Sequence, residues 1–297
     1  MIKFNKEKDL VAVIAPASSC PDGLLRLQQS IALLTENGFK VLADEKILAG
    51  CNLPYFAASQ ELRLASFQEA LLNEDVKIIW AFRGGYGCSE LIFECLNLKP
   101  TEPKILIGFS DLTCMHVLFN QHYKIPTIHG SVLTSLLTLG QDINLVLKVL
   151  KGQVTKIDLT PINNNISNTK IAGKTMGGNL TLMCNMLGTK LHPKANKKIL
   201  ILEDINEKGY HVHRHLVHLK NAGIFHKLSA VIFGDFLYSD ENIEQSISDF
   251  CQKHIKNIPA YRAPGIGHGN INYPFVLGSH ALIKENDLII KSPFSLS

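Results

Sequence analysis

The sequence predicts an α/β fold organised around a parallel β-sheet, and three observations support this prediction. Short apolar runs alternate along the chain with longer segments in which apolar residues recur at helical spacing. The runs are apolar on both faces, which is typical of parallel strands covered by helices on both sides. Glycine-rich turns and polar residues follow several of the runs. Because parallel strands end at one edge of a sheet, we expect the functional groups to gather at that edge.

The first half of the chain alternates strands with helices. Pro16 ends the first apolar run, and Gly38 stops the first helical pattern. Strands are predicted over residues 10–15, 39–43, 76–82, 105–109 and 125–129. Helices are predicted over residues 22–37, 57–72 and 144–150.

A polar, turn-rich segment over residues 151–170 is predicted to be a linker between two domains. It contains Pro161 and a run of asparagines over 163–165. The predicted domains are an N-terminal one over 1–150 and a C-terminal one over 171–297. In the second domain, strands are predicted over 171–176, 198–202 and 230–233, helices over 179–187, 210–222 and 243–255, and a closing hairpin over 275–283 and 288–290.

The composition argues against several classes of partner. The chain has 297 residues, 46% of them hydrophobic, and is long enough to bury a large core. Its formal charge of +4 comes without a basic block, so no nucleic-acid partner is expected. Seven scattered cysteines without a C-x-x-C pair predict neither a disulfide framework nor a zinc site, and they indicate a reducing compartment. No apolar run has the length of a membrane span, so a cytoplasmic protein without a membrane partner is expected.

The segment KILIGFSDLT over 104–113 is a candidate nucleophilic site, because it places Ser110 directly after an apolar strand and before a helix. A sharp turn there projects the hydroxyl above the sheet and points the following N–H groups toward it. The G-x-S-x-G elbow is half matched, since Gly108 is present but Leu112 replaces the second glycine. The alternative interpretation is a Ser-Asp pair that caps the helix starting at Asp111.

A glycine-rich turn follows the strand predicted over 76–82. The backbone N–H groups of Gly84 and Gly85 can face a group above Ser110 and form an oxyanion site. The alternative is a tight strand-to-helix turn that needs glycine only for its backbone conformation. The spacings of the common phosphate-binding loops are absent, so nucleotide binding is not supported.

A serine nucleophile needs a base, and three of the 12 histidines are candidates. His116 lies on the helix that Ser110 opens, and His129 ends the following predicted strand. His268 lies in the turn-like segment GIGHG over 265–269, a setting typical of an exposed functional loop. The residue types alone leave these three alternatives open.

The base in turn needs an orienting carboxylate, and Glu203, Asp204 and Glu207 lie close together after the strand predicted over 198–202. Glu203 is the first polar residue after that strand, so the sheet is expected to hold it in a fixed direction. Asp204 is expected to point to the opposite side, and Glu207 lies beside Gly209 in a turn. We therefore predict that Glu203 orients the base.

Four histidines cluster over 211–218, and His211, His215 and His218 share one helical face. Such a face can bind a metal ion. A partly solvated helix face is favoured instead, because no cysteine or carboxylate completes a ligand set at a recognisable spacing. No metal and no cofactor are expected.

Five short motifs carry a resemblance to a known family. They are RGGYG at 83–87, GFSDLT at 108–113, GGNL at 177–180, LED at 202–204 followed by Tyr210 and Arg214, and GIGHG at 265–269. In this order and spacing they resemble the LD-carboxypeptidase family of serine peptidases, to which the microcin C immunity peptidases are related. The resemblance extends from Ala15 almost to the C-terminus.

The resemblance implies a flavodoxin-like N-terminal α/β domain with a parallel sheet and a smaller C-terminal α/β domain with a mixed, barrel-like sheet. It implies a triad of Ser110, Glu203 and His268, with an oxyanion hole formed by the backbone N–H groups of Gly85 and Asp111. The implied reaction removes the terminal D-alanine from the L,D-linked murein tetrapeptide, a step of peptidoglycan recycling in the cytoplasm. The family needs no metal for this reaction, and the resemblance is consistent with a homodimer.

The chain departs from the family pattern at positions that bear on the substrate. Arg83 is expected to bind the carboxylate of the terminal D-alanine, with a structural ion pair as the alternative. The family continues Tyr-Arg-x-Asp-Arg where this chain has YHVHR over 210–214, and His-Gly-Pro where it has HGS over 129–131. Two other functions stay open, a microcin C immunity-type serine peptidase and a non-catalytic muropeptide-binding protein. The intact serine, glutamate and histidine argue against the second.

Overall fold

The computed structural model describes residues 1–163 and 170–297, and its strands form two large sheets and one two-stranded pair. In chain order the strands are β1 (Ile2–Phe4), β2 (Leu10–Ile14), β3 (Lys40–Leu42), β4 (Val76–Ala81), β5 (Ile105–Gly108), β6 (Thr127–His129), β7 (Thr155–Asp158), β8 (Thr160–Pro161), β9 (Ile171–Asn179), β10 (Lys198–Ile205), β11 (Ala230–Leu237), β12 (Ala260–Arg262), β13 (Phe275–Leu277), β14 (His280–Lys284), β15 (Asp287–Ile290) and β16 (Phe294–Leu296). The helices are α1 (Gly23–Glu36), α2 (Gln60–Leu72), α3 (Cys88–Leu91), α4 (Thr113–Val117), α5 (Leu133–Thr138), α6 (Ile143–Leu150), α7 (Leu180–Asn185), α8 (Gly209–Asn221) and α9 (Ile243–His254).

The first sheet has six strands in the order β13-β6-β5-β4-β2-β3. The five strands from the first half of the chain are parallel, and β13 pairs antiparallel with β6 at one edge. Numbered among themselves, the parallel strands run 2-1-3-4-5, which is the flavodoxin-like order. The strand order reverses between β2 and β4, so the loops after these two strands leave a crevice at the carboxyl edge. The predicted parallel α/β fold is confirmed.

The central strands of this sheet form where the sequence is apolar on both faces. All residues of β5 are buried, as are all residues of β4 except Lys77. Helix α1 covers the sheet with Leu27 and Leu34. The indole N–H of the buried Trp80 has a hydrogen-bond partner, because Nε1 donates to Ser131 O at 2.9 Å. The turns at the carboxyl edge therefore follow strands that are buried at the centre of the sheet.

The second sheet has eight strands in the order β7-β15-β14-β9-β10-β11-β12-β8. Its centre, from β9 to β12, is parallel, and its outer strands pair antiparallel. The two edge strands, β7 and β8, are separated only by Leu159. The sheet must therefore curl until its edges approach each other, and the predicted mixed, barrel-like sheet is confirmed.

Several strands differ from their predicted bounds, and two of these differences bear on the position of functional residues. The strand predicted over 275–283 breaks at Gly278, where φ is +81°, and its two parts, β13 and β14, enter different sheets. Thr175 fixes this break, because its N–H donates to Ser279 O and its carbonyl accepts from Gly278 N, both at 2.9 Å. The strand predicted over 198–202 continues to Ile205, since β11 keeps pairing alongside it past a bulge. Glu203 therefore lies within β10 and not after it.

The predicted linker contains two strands, β7 and β8, in its described part. Ile157 and Leu159 are buried there, which anchors the segment to the second sheet. Residues 164–169 of the predicted linker lie outside the described residues. Two strand pairs, β13 with β6 and β1 with β16, join the chain on either side of the predicted linker. The division into domains over 1–150 and 171–297 stays a prediction.

Over residues 1–163 and 170–297, no helix combines the length and the apolar character that crossing a bilayer requires.

Candidate active site

Ser110 lies at the turn between β5 and the helical segment that becomes α4. Its φ is +62°, a left-handed conformation that is strained by about 1–3 kcal/mol for a residue with a side chain. Gly108 permits the turn, because a Cβ there would lie 2.8 Å from Leu112 Cγ. Gly108 and Leu112 thus achieve close packing without the second glycine of the elbow motif. Ser110 itself is partly exposed, as a nucleophile must be.

The glycine turn after β4 lies directly beside Ser110. A Cβ at Gly84 would lie 3.1 Å from Ser110 Cβ, so a side chain there would press against the serine. Gly85 has φ of +118°, and a Cβ on it would collide with the side chain of Ser18. Ser18 holds the turn, because its N–H donates to Gly84 O and its Oγ accepts from Tyr86 N, both at 3.2 Å. The loop after β2 therefore fixes the glycine turn next to the serine.

A buried arginine that the sequence analysis missed ties the same loops together. Arg63 on α2 donates to Pro16 O at 2.9 Å and to Gly87 O at 3.0 Å, and it pairs with Glu90 at 2.6 Å. Its side chain is 1% exposed, so these bonds compensate a buried charge. Its position in the helical repeat could have indicated its burial, because Arg63 lies one helical turn before Phe67 on the inner face of α2.

Asp111 follows the serine, and its side chain is buried. Its Oδ2 accepts from Cys88 N at 2.8 Å, while Oδ1 has no hydrogen-bond partner among the described residues. Burial raises the pKa of the Asp111 carboxyl, against the opposing effect of the hydrogen bonds from Cys88. The carboxyl group therefore anchors the start of α3 to the elbow.

His268 and Glu203 form a direct contact between two of the predicted triad side chains. His268 Nδ1 lies 2.7 Å from Glu203 Oε2, and the Glu203 side chain is 0% exposed. Burial lowers the pKa of His268, but the charge and hydrogen bond of Glu203, with the charge of Asp204, outweigh burial and raise that pKa above its usual value. Glu203 thus stabilises the imidazolium that forms when His268 accepts a proton.

The imidazole lies close to the nucleophile's strand through Phe109, the residue before Ser110. The ring centroids of Phe109 and His268 are 4.8 Å apart. Within the described ranges, His268 is hydrogen-bonded to Glu203 and not to Ser110. Catalytic hydrogen bonds commonly tighten only when substrate binds, so the observed arrangement is compatible with a base beside its serine.

Three side chains that the sequence analysis missed hold the loop over 265–269. Each binds a backbone group of that loop: Asp235 accepts from Gly265 N at 3.1 Å, Asn272 accepts from Gly267 N at 3.2 Å, and Gln141 donates to Gly269 O at 2.6 Å. Asp235 lies on β11, Gln141 lies between α5 and α6, and Asn272 lies further along the same connection between β12 and β13. Nothing in their local sequence marks a contact with this loop. The loop is therefore fixed on several sides, which restricts the orientation of His268.

The structure places the other two histidine candidates in the core. The nitrogens of His116 lie 2.9 Å from Gly108 O and from Thr127 Oγ1, and burial lowers its pKa to about 4. His129 stacks on Phe275 at 4.6 Å, and burial lowers its pKa well below the usual value. Neither ring nitrogen of His129 has a hydrogen-bond partner in the part of the chain that the structure describes. Burial therefore favours the neutral form of both rings. His116 packs from α4 against β5 and β6, and His129 lies within the first sheet.

Asp204 turns away from His268. It accepts from Asn179 Nδ2 at 2.7 Å, from Thr181 N at 3.0 Å and from Thr181 Oγ1 at 2.9 Å. Burial, together with the adjacent charge of Glu203, raises the pKa of Asp204 to about 6. Its role is therefore to join β10 to the start of α7.

Two of the four histidines of α8 contact carboxylates. His211 Nδ1 lies 3.0 Å from Glu207 Oε2, which turns Glu207 toward α8 and away from His268. His213 Nε2 lies 3.5 Å from Asp249 on α9. Among residues 1–163 and 170–297, no group of three or more histidine, cysteine or acidic side chains is arranged to hold a metal ion.

Arg83 lines a cavity at the crevice between the loops after β2 and β4. Its guanidinium donates to Ser19 O, and no carboxylate pairs with it among the described residues. The cavity has a volume of about 580 Å³, and its walls include Ser18, Cys20 and Tyr55. A partly buried cation without an acidic partner at the switch point of an α/β sheet is suited to bind a carboxylate.

Comparison with known proteins shows the family of this chain. The family model described as LD-carboxypeptidase N-terminal domain matches residues 11–130, and that described as LD-carboxypeptidase C-terminal domain matches residues 172–283. A protein of Rickettsia conorii is 33% identical over 291 residues, which covers 94% of this chain and 90% of that protein.

Two further relatives carry more specific names. The murein tetrapeptide carboxypeptidase of Pseudomonas aeruginosa is 28% identical, with 94% of both chains covered. The crystal structure of muramoyltetrapeptide carboxypeptidase from Oxalobacter formigenes has a TM-score of 0.77 at 25% identity, and the match covers 95% of this chain and 98% of that one. Both halves of the family and their order along the chain are thus present, and the chain belongs to the LD-carboxypeptidase family.

Proposed function

We propose that this protein is a serine carboxypeptidase that removes the terminal D-alanine from L,D-linked murein tetrapeptides. The observation that carries the proposal is the contact between His268 and the buried Glu203, close to the strained turn that presents Ser110. The names of the relatives from Pseudomonas aeruginosa and Oxalobacter formigenes support the substrate class.

In the proposed mechanism, Ser110 Oγ attacks the carbonyl carbon of the bond to D-alanine while His268 Nε2 accepts the serine proton. Glu203 holds the His268 Nδ1–H and stabilises the imidazolium. The backbone N–H groups of Gly85 and Asp111 donate to the oxygen on which negative charge develops.

The second half of the reaction returns the serine to its starting state. The tetrahedral intermediate collapses, His268 donates its proton to the departing amine, and free D-alanine leaves a serine ester of the tripeptide. Water then attacks this ester with His268 again as the base, and the tripeptide carboxylate is released.

We assign the carboxylate of the departing D-alanine to Arg83. The guanidinium lies in the cavity beside the glycine turn, and a backbone carbonyl is its hydrogen-bond acceptor within the described structure. An arginine in this setting selects substrates that end in a free carboxylate, which is the defining property of a carboxypeptidase.

A direct assay tests this function. The purified protein is incubated with murein tetrapeptide, and free D-alanine and tripeptide are measured by mass spectrometry, with Ser110→Ala as the control. Equal amounts of both products are expected from the wild type alone. Turnover of a peptidyl-nucleotide amide in place of the tetrapeptide would support the microcin C immunity alternative. Binding of tetrapeptide without product would support the non-catalytic alternative.

We also propose a cytoplasmic location and a homodimer, which rest on the family resemblance and on the recycling role. Cell fractionation with an antibody against the native chain tests the first. Light scattering coupled to size-exclusion chromatography tests the second, and a monomer mass across a wide concentration range would contradict it.

A further inference from the structure

A chain of hydrogen bonds links the backbone of the nucleophile to the strand that carries Glu203. Thr113 Oγ1 donates to Ser110 O at 2.7 Å and accepts from Asn179 N at 2.9 Å. Asn179 Nδ2 then donates to Asp204 Oδ1 at 2.7 Å, and Asp204 is the residue after Glu203 in β10. This series of hydrogen bonds starts at the turn that follows β5 of the first sheet and ends at β10 of the second sheet.

Burial and close packing restrict the movement of this chain. Thr113 is 0% exposed, Asp204 3% and Asn179 4%. Gly178 brings β9 against the elbow, because a Cβ there would lie 2.5 Å from Thr113 Oγ1. Asn179 Oδ1 also accepts from Leu182 N at 3.1 Å, which caps α7 and fixes the orientation of the amide.

The position of this chain matters because the proposed nucleophile and its base come from different sheets. Two hydrogen bonds at Thr113 Oγ1 connect the Ser110 carbonyl to Asn179 at the end of β9, the strand that pairs with β10. A misplacement of about 1 Å between reacting groups can reduce a rate about 100-fold. Removing the Thr113 hydroxyl would take one hydrogen bond from the Ser110 carbonyl, which keeps the bond from Thr113 N, and would remove the Oγ1 acceptor of the buried Asn179 N–H.

We propose that Thr113, Asn179 and Asp204 are positioning residues that set the separation between Ser110 and the Glu203 side of the site. This inference rests on the proposed function, because it assigns Ser110 as the nucleophile. The three residues act through their neighbours and do not touch the reacting atoms.

The test compares Thr113→Val with Thr113→Ser, which keeps the hydroxyl. Thr189→Val is a matched control, because Thr189 Oγ1 donates to Met186 O at 2.7 Å and accepts from Leu191 N at 3.1 Å, the same pattern away from the site. Three quantities are measured for each variant: kcat and KM for murein tetrapeptide, the rate constant for labelling of Ser110 by a fluorophosphonate, and the thermal midpoint.

Thr113→Val is expected to lower kcat and the labelling rate constant together by about 100-fold, with little change in KM. Thr113→Ser is expected to retain both within about threefold, because it restores both hydrogen bonds. Thr189→Val is expected to lower the thermal midpoint but to keep full activity. Wild-type labelling of Thr113→Val, or an equal loss in Thr113→Ser, would overturn the positioning role.

Asp204→Asn provides a second variant in case Thr113→Val does not fold. The amide can accept at one oxygen only, so part of the Asp204 hydrogen bonding is lost. The charge that helps to raise the pKa of His268 is lost as well. Labelling of Ser110 should become slower in Asp204→Asn, and the acid limb of the pH profile of the labelling rate constant should move to lower pH. An unchanged rate constant and an unchanged acid limb would contradict the inference.

If the wild type is labelled but releases no D-alanine, the proposed function fails, while the comparison of labelling rate constants still decides the positioning role.

Discussion

Gly267 leaves the space that Glu203 occupies: a Cβ at residue 267 would lie 3.0 Å from Glu203 Oε2, the oxygen that accepts from His268. Gly267 also has φ of +130°, which side-chain-bearing residues rarely adopt. The neighbour of the predicted base is therefore glycine for both reasons. The contact between base and carboxylate depends on a residue that carries no functional group.

Gly267→Ala is expected to lower kcat about 100-fold, because the added methyl group displaces Glu203 or the loop by a fraction of an ångström or more. Gly188→Ala is the matched control, since Gly188 has φ of +75° but no atom within 4 Å of its Cβ position. Both variants should lose stability, and steady-state kinetics should show loss of activity in Gly267→Ala alone. Equal activities would show that the space beside Glu203 is not required.

Ser110→Ala is expected to keep the fold and the binding of muropeptide while losing about 10⁶ in kcat, as found when a triad nucleophile is removed elsewhere. Single-turnover kinetics and calorimetric binding measure the two properties separately. A fluorophosphonate should modify Ser110 of the wild type with one adduct per chain, and peptide mass mapping locates the adduct. An adduct on a cysteine, or near-normal turnover of the variant, would exclude the serine mechanism.

Glu203→Gln is expected to lower kcat about 10⁴-fold, whereas Glu207→Gln, whose carboxylate contacts His211, should have a far smaller effect. The reverse ranking would assign the orienting role to Glu207.

The same substitution should change the pH dependence in a defined direction. The base works when neutral, so kcat/KM falls as pH drops through the pKa of His268. Burial lowers this pKa and the Glu203 charge raises it, so Glu203→Gln leaves the lowering effect of burial in place. The acid limb of kcat/KM should therefore move to lower pH. An acid limb of kcat/KM that stays at the wild-type pH in Glu203→Gln would show that a group other than His268 controls it.

Arg83→Lys is expected to raise KM for murein tetrapeptide, because a point charge replaces a guanidinium that can bind a carboxylate with two hydrogen bonds. The control substrate is the tetrapeptide with an amidated C-terminus, which lacks the carboxylate. KM for this control should change little. An equal rise for both substrates would assign Arg83 a structural role in the loop that contains Ser19.

The parts of the structure that local sequence determines were predictable. Apolar runs such as that of β4 become central strands because burial on both faces leaves no other stable position for them. The Ser110 turn was predictable for a different local reason, since a strand that runs directly into a helix must reverse at the intervening residue. Glu203 was selected although β10 is longer than predicted, because alternation along an extended chain separates the directions of Glu203 and Asp204 in either case.

The remainder depends on contacts between residues far apart in the chain. Arg63 binds Pro16 and Gly87, and no pattern around Arg63 indicates these acceptors. The break at Gly278 is fixed by Thr175, which is even more distant in sequence. Such contacts arise from the packing of whole elements, and the local propensities that predict helices and strands carry no information about them.

The loop that carries His268 leaves the second sheet at Arg262 and enters the first sheet at Phe275. The loop that carries the imidazole is therefore anchored to the second sheet at one end and to the first sheet at the other. If the two sheets move apart to admit a muropeptide, this loop must stretch, and the base moves relative to Ser110. Hydrogen exchange should then show residues 265–269 and β13 opening as one unit.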